Sequence, residues 1–377
     1  MNEHQQTLLA HLRAALFGGA PGPEVTGEVI DEALAQHVHT LLPIEGYREY
    51  WQWVGRNVSV TVEHQELHAI MEKGGVPYAV LKGAASAAYY PDPDRRPMGD
   101  VDFIVRQEDV PRARAALEAE GFTMARRIDK HEEYHRGESR WELHTQPPGF
   151  PESCAEVCSA GEIISHAVMG KECMTPSAYH HGLILLAHNA EHMLEGGIGL
   201  RHVCDWVVYA ASFTDEAFRD MLEGTLKEIG LWRYAQVLTQ LGVRYLGAPE
   251  RAWAAPADEG LLEALLQDVL DGGDFGLKDE NRVLEANMLQ SAAKGKLKEG
   301  GELTQVFRSA AEVACSYWPV MRRVKVLLPF GAGWLLLRRL VRMATGQRKA
   351  VHLGEAMEGA KKRKAIYREC ALFEPEK

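Results

Sequence analysis

In "MGDVDFIV" two acidic residues, Asp100 and Asp102, stand one position apart at the head of an apolar run. Side chains along a strand alternate between its faces, so the two carboxylates share one face, roughly 7 Å apart, while Val101 and Phe103 take the other. Like charges at that spacing repel unless a cation or solvent lies between them. Hard oxygen donors of this kind suit Mg²⁺ or Mn²⁺, which take one or two carboxylates and complete their shell with water and phosphate oxygens. Lys82-Gly83 lies 18 residues upstream of Asp100, between the apolar "VPYAVL" and the small-residue "AASAAYY". That is a β-to-α turn, where Gly83 admits close backbone approach and free amides face an anion. Arg95 and Arg96 precede the acids and suit phosphate oxygens as bidentate donors. In "RWELHTQ", Glu142 and His144 share a strand face, so Glu142 offers a third acid to share the metal or take a proton from an attacking hydroxyl. Each feature also has a plainer reading: a solvated strand end, an ordinary turn, and surface arginines beside Asp92 and Asp94.

The elements that position these residues follow from periodicity. Residues 1–73 place apolar residues at helical spacing and end on glycines suited to a helix C-terminus. From Val76 the chain reads strand, short helix, strand ("VDFIV"), amphipathic helix ("QEDVPRARAALEAEG"), then three strands in "FTMARRI", "HEEYHR" and "RWELHTQ". This order implies an α+β core with a small mixed sheet. Beyond Pro147-Pro148 it turns into a serial helical array with no clear strand. The expected division is an N-terminal helical segment 1–73, an α/β core 74–150, a helical domain 151–275, a polar connection 276–316 and a basic helical tail 317–377. "HEEYHR" reads as a solvated edge strand.

The helical half carries a competing pattern, "HNAEH". His188 and His192 lie one helical turn apart with Glu191 beside them, as in the inverted zinc-peptidase motif. A third ligand is not identifiable from the sequence. The same residues also read as packed helix or as lining of a cleft. Arg201 and Asp205, four apart in "LRHVCDWVVYA", suit an intrahelical pair.

The 377-residue chain has a formal net charge of −11, distributed unevenly. From Tyr317 onward there are 14 Lys/Arg against 5 Asp/Glu. The acidic body argues against nucleic acid as the main ligand, because duplex binding needs a basic face. Six cysteines without C-x-x-C units read as reduced thiols of a cytoplasmic protein. The N-terminus lacks the pattern of a signal peptide, and no uncharged run reaches the ~18 residues of a spanning helix. The tail "YWPVMRRVKVLLPFGAGWLLLRRLVRM" fits a core-capping hairpin turning at Pro329 and Gly331 to Gly333. It equally fits peripheral membrane contact through residues 317–349.

The stretches "VLKGAASAAYYPDPDRRPMGDVDFIV", "AEGF", "WELHTQ" and "GGIGLRHVCDWVVYA", in this order and over about Glu63 to Ser212, resemble the uncharacterised nucleotidyltransferase family of the DNA polymerase beta-like superfamily. The resemblance implies Mg²⁺-dependent transfer of a nucleoside monophosphate from a nucleoside triphosphate to a hydroxyl-bearing acceptor, such as a sugar or lipid-linked glycan. By it, Asp100 and Asp102 correspond to the catalytic metal pair, Glu142 to the third carboxylate, and Gly83 to the turn holding the triphosphate. His144, His188, His192 and Arg201 would then line the cleft. The chain departs from the pattern at Ala84, where the superfamily usually has Ser or Gly, and Lys82 or Ser86 would have to supply the missing phosphate contact. The departure leaves open a nucleotide-binding protein without catalysis, and "HNAEH" leaves open a zinc hydrolase.

Overall fold

A computed structural model of the protein describes residues 1–127, 131–150, 154, 159–278, 282, 311, 314–315, 318, 320–344 and 353–375. Three helices come first, α1 (Glu3–Phe17), α2 (Gly27–Ala35) and α3 (Arg48–Lys73). The first begins on a reciprocal capping box between Asn2 and Gln5 and ends at Gly18 with φ 74°, so orphan amides and carbonyls are met at both ends.

The α/β core follows as β1 (Tyr78–Leu81), α4 (Gly83–Ala87), β2 (Val101–Val105), α5 (Val110–Ala119), β3 (Thr123–Arg127), β4 (His131–Arg136) and β5 (Ser139–His144). The five strands form one sheet in the order β1-β2-β5-β4-β3. Only the central β2–β5 pair is parallel, and its register sets Asp102 directly opposite Glu142. On one face, Val80, Val101, Phe103, Trp141 and Leu143 pack against Val60, Leu67 and Met71 of α3 and against Ala113 and Leu117 of α5. The helical spacing of those α3 residues and the alternation of the strands bury the same layer. The other face presents Ala79, Leu81 and Ile104 to Ile163 and Ile184.

These two isoleucines sit on α6 (Ala160–Ser165) and α7 (Ala178–Glu195). The array continues with α8 (Leu200–Ala211), α9 (Asp215–Phe218), α10 (Gly224–Glu228), α11 (Trp232–Leu241) and α12 (Glu259–Gly272). Its core includes Leu8 and Leu12 of α1, Val29 of α2, and Trp206, Phe218, Tyr234 and Leu265. Residues 1–73 are thus shared between two cores: α1 and α2 join the helical array, and α3 lies under the sheet.

Several expectations need correction. A two-stranded ribbon, β6 (Val168–Met169) with β7 (Met174–Thr175), follows the sheet, where the sequence offered no strand because two residues are too few to show alternation. β4 is no edge, since it lies between β3 and β5, and Glu132 is buried against Arg114, Arg127 and Tyr134. In the tail, Leu328–Ala344 is one helix containing Pro329, Gly331 and Gly333. The turn expected there falls earlier, around Lys325–Leu327, because proline is tolerated in a helix's first turn. Trp318 meets Trp334 edge-on at 5.5 Å across that turn, while Phe330 and Leu337 are exposed. Most of the polar connection 276–316 lies outside the described residues. Among those described, no helix is long and apolar enough to cross a membrane.

Candidate active site

A cleft of about 970 Å³ opens between the sheet and helices α7 and α8, lined by Lys82, Gly83, Asp100, Asp102, Glu142, His144, His188 and His192 among others. Its floor is built by alternation on two strands. Asp102 lies inside β2 and is buried, and Glu142 and His144 project beside it from β5. Asp100 precedes the strand in an exposed loop at the mouth. Two residues of α3 hold that loop. The Asn57 side-chain amide donates to the carbonyls of Asp94 (2.8 Å) and Arg96 (2.9 Å), and Arg56 donates to the carbonyl of Gly99 at 2.6 Å.

The turn after β1 is strained where it meets the acids. Lys82 has φ 55° and ψ −132°, a conformation that costs a non-glycine residue of order 1–3 kcal/mol. It sends the ammonium over β2, where Nζ lies 3.1 Å from Asp102 Oδ2 and 3.3 Å from His188 Nε2. His144 Nε2 engages the other oxygen, Oδ1, at 3.0 Å. Burial alone would raise the Asp102 carboxyl, but Lys82 and His144 outweigh it and hold the group ionised, well below the usual carboxylate range. Burial would likewise discharge His144, yet its bonds to Asp102 and Glu142 push it above its ordinary value.

Asp100 behaves oppositely. Although the residue is exposed, the charge of Asp102 foremost, and then partial desolvation of the carboxyl where it leans into the cleft, hold it up at about 6. Oxygens of Asp100, Asp102 and Glu142 lie within 4.8 Å of one another. This is a donor set for a hard divalent cation, and its mutual repulsion is what such a cation relieves. An acid raised on folding lowers stability as pH climbs from its unfolded value, near 3.9, to its folded one. Asp100→Asn is therefore expected to raise the thermal midpoint above pH 6 and to leave it unchanged below about pH 4. Melting curves across that range check this, and saturating Mg²⁺ should shrink the gain.

The remaining expected residues are distributed as follows. Gly83, at φ 38°, lines the cleft with the buried ring of His64 behind it. Ala84 packs into the sheet core. Ser86 is buried and points at His181 Nε2, 3.5 Å away, so it is turned from the cleft because α4 rotates it onto the helical side. Arg96 reaches the cleft wall but is clamped on Asp205 by bonds of 2.8 and 2.7 Å, and Tyr90 Oη donates to the same carboxylate at 2.7 Å. Neither Ser86 nor Arg96 is free to take a phosphate in this arrangement. The Arg201–Asp205 pair is not formed, since Arg201 bonds Asp274 Oδ2 at 3.0 Å. Arg95 is held by the carbonyls of Thr40 and Leu42.

Several cleft residues escaped the sequence reading. His131 on β4 stands opposite His144 and lies 3.6 Å from Glu142 Oε2. Its position was legible in principle: the two-residue turn Gly137-Glu138 pairs Arg136 with Ser139, and counting outward pairs His131 with His144. His202 and Phe275 enter from α8 and the loop after α12, with Asp274 beside His202, and no local pattern announces them.

A mixed sheet with acids on its central strands, an α-helical cover and a β-to-α turn beside the acids defines a nucleotidyltransferase core. The chain belongs to the uncharacterised nucleotidyltransferase family, whose sequence model matches residues 34–247, more than half its length. That match spans α3, the whole sheet and the helices up to α11. No curated protein and no solved structure shows a significant match to the chain.

Proposed function

We propose that the protein transfers a nucleoside monophosphate from a nucleoside triphosphate to a hydroxyl-bearing acceptor with the help of Mg²⁺ or Mn²⁺. The observation that carries this reading is the register of β2 on β5, which sets Asp102 against Glu142 with Asp100 beside them above the Lys82-Gly83 turn. Asp100, Asp102 and Glu142 would hold the metal, which would neutralise phosphate charge and the developing charge on the attacking and leaving oxygens. Lys82 is the cleft cation nearest the acids, and it binds phosphate by releasing His188 while keeping Asp102. The Gly83 amide region donates to phosphate oxygens at a position where a side chain at φ 38° would be strained. Glu142, 3.5 Å from His144 and 3.6 Å from His131, has two imidazoles through which a proton taken from the acceptor hydroxyl can leave. Arg96 acts behind this set, holding the cleft wall through Asp205. The acceptor enters from the open side, and a sugar or lipid-linked glycan suits its polar lining.

A thermal-shift screen of the common nucleoside triphosphates with Mg²⁺ or Mn²⁺, followed by pyrophosphate release with candidate acceptors, tests the proposal. A metal-dependent shift with at least one triphosphate is expected. No shift with any of them would sink it. Binding without pyrophosphate release across acceptors would favour a nucleotide sensor instead, the reading that Ala84 keeps in view.

A further inference from the structure

Beside the acids the same cleft holds a second group of donors, all nitrogen. His188 and His192 project from one face of α7, one turn apart, and His202 faces them from α8. One ring nitrogen from each lies within 4.8 Å of the others. His188 and His202 are buried and His192 is half-buried. The Nε2 atoms of His188 and His192 are 2.9 Å apart, with their rings perpendicular. Lys82 Nζ also points at His188 Nε2, from 3.3 Å. A neutral imidazole has one lone pair in its ring plane, so His188 cannot accept from both neighbours.

The outer contacts have the form of a metal site. His202 turns Nδ1 outward, 3.2 Å from Asp274 Oδ1 and 3.3 Å from the Gly199 amide nitrogen, which leaves Nε2 as its inward nitrogen. His192 turns Nδ1 toward Glu195 Oε2 at 3.8 Å and Nε2 inward. Carboxylates behind ligating histidines fix the ring and its tautomer. Zinc–nitrogen bonds of 2.0–2.1 Å at tetrahedral angles separate ligand nitrogens by roughly 3.3 Å, close to the 2.9 Å between His188 and His192 and within the 4.8 Å that spans the trio.

We infer that His188, His192 and His202 bind a zinc-class divalent ion, separate in chemistry from the ion of the acidic group. Three protein ligands leave one coordination position for water or an anionic substrate oxygen. Imidazole donors select a borderline-soft ion where the carboxylates select a hard one, so one cleft discriminates two metals. The inference does not rest on nucleotidyl transfer.

Cobalt(II) titration of the metal-stripped full-length protein, without nucleotide, tests it. The expected result is one equivalent bound with the visible bands of tetrahedral Co²⁺ in nitrogen ligation, displaced stoichiometrically by Zn²⁺. His192→Asn and His202→Asn should each weaken binding by at least about 10-fold, and Asp274→Asn by about 10- to 100-fold. His131→Asn and the Asp100→Asn/Asp102→Asn pair should leave the spectrum intact. The wild-type titration decides the matter even where a histidine variant does not fold: absence of a tetrahedral spectrum overturns the inference. So does its loss in His131→Asn, which would move the ion to β4 and β5, or a sulfur charge-transfer band, which would assign it to cysteine. Failure of the nucleotide screen leaves this result untouched.

Discussion

Asp102→Asn is expected to abolish Mg²⁺-dependent nucleotide binding and to reduce turnover by at least roughly 10²–10³-fold, the scale on which removing one preorganised electrostatic group acts. Asn keeps the shape of the side chain and one acceptor for His144 or Lys82, so the effect is one of charge. Asp102 is the buried acid of the three, its oxygens 3.1 Å from Lys82 and 3.0 Å from His144, and it raises Asp100 by repulsion. Removing its charge lets Asp100 ionise at lower pH but leaves two charged oxygen ligands where three met. It also leaves the Lys82 ammonium without its counter-ion, competing for phosphate by an altered path. Circular dichroism should show a folded variant, and the thermal shift given by triphosphate with Mg²⁺ should vanish. A folded variant that still binds the triphosphate with Mg²⁺ as tightly as wild type would remove Asp102 from the site. Glu142→Gln should spare more of the binding than of the rate, because its carboxylate is also placed to take the acceptor's proton.

The second large effect is on stability. Asp205→Ala is expected to cost about 3–5 kcal/mol in denaturant unfolding, because it strands a buried guanidinium. Arg96 and Asp205 are both buried, and the carboxylate accepts two bonds from Arg96 and one from Tyr90. Arg96→Met with Asp205→Leu should recover much of the loss, since an apolar pair of similar volume avoids desolvating two charges. Burial would raise the Asp205 carboxyl, yet the Arg96 ion pair outweighs it and holds the group below its ordinary value. A depressed folded value adds stability that is complete above the unfolded value, near 3.9, and is lost as pH falls below it. The wild type should therefore lose this contribution below about pH 4, while the apolar pair shows no such loss. An Asp205→Ala cost under about 1 kcal/mol would mean that Arg96 is solvated or bonded elsewhere.

Most strands and helices were legible because their patterns are local. "VPYAVL" is legible as a strand because it is a short apolar run, "VDFIV" and "RWELHTQ" by alternation, and the helices α7, α8, α11 and α12 by helical spacing. That Asp100, Asp102, Glu142 and Lys82 meet in one cleft was legible, since two acids so closely spaced need something to offset their repulsion. Arg96 and Arg201 do line the cleft, but their partners, like that of Ser86, were not legible, for a common reason. Their types suit phosphate or a near neighbour, but their partners are Asp205, His181 and Asp274, 95, 109 and 73 residues away for Ser86, Arg96 and Arg201 respectively.

The sequence by itself determined the α+β order of elements, the alternation that separates Asp102 from Phe103, and the one-turn spacing of His188 and His192. Period and spacing depend only on neighbouring backbone geometry. The tertiary structure decided which strand lies beside β2, that Glu142 rather than another acid faces Asp102, that Arg96 is spent on Asp205, and that His202 completes a histidine trio. Those are matters of which distant surfaces bury each other, and charge and burial then set how each group ionises.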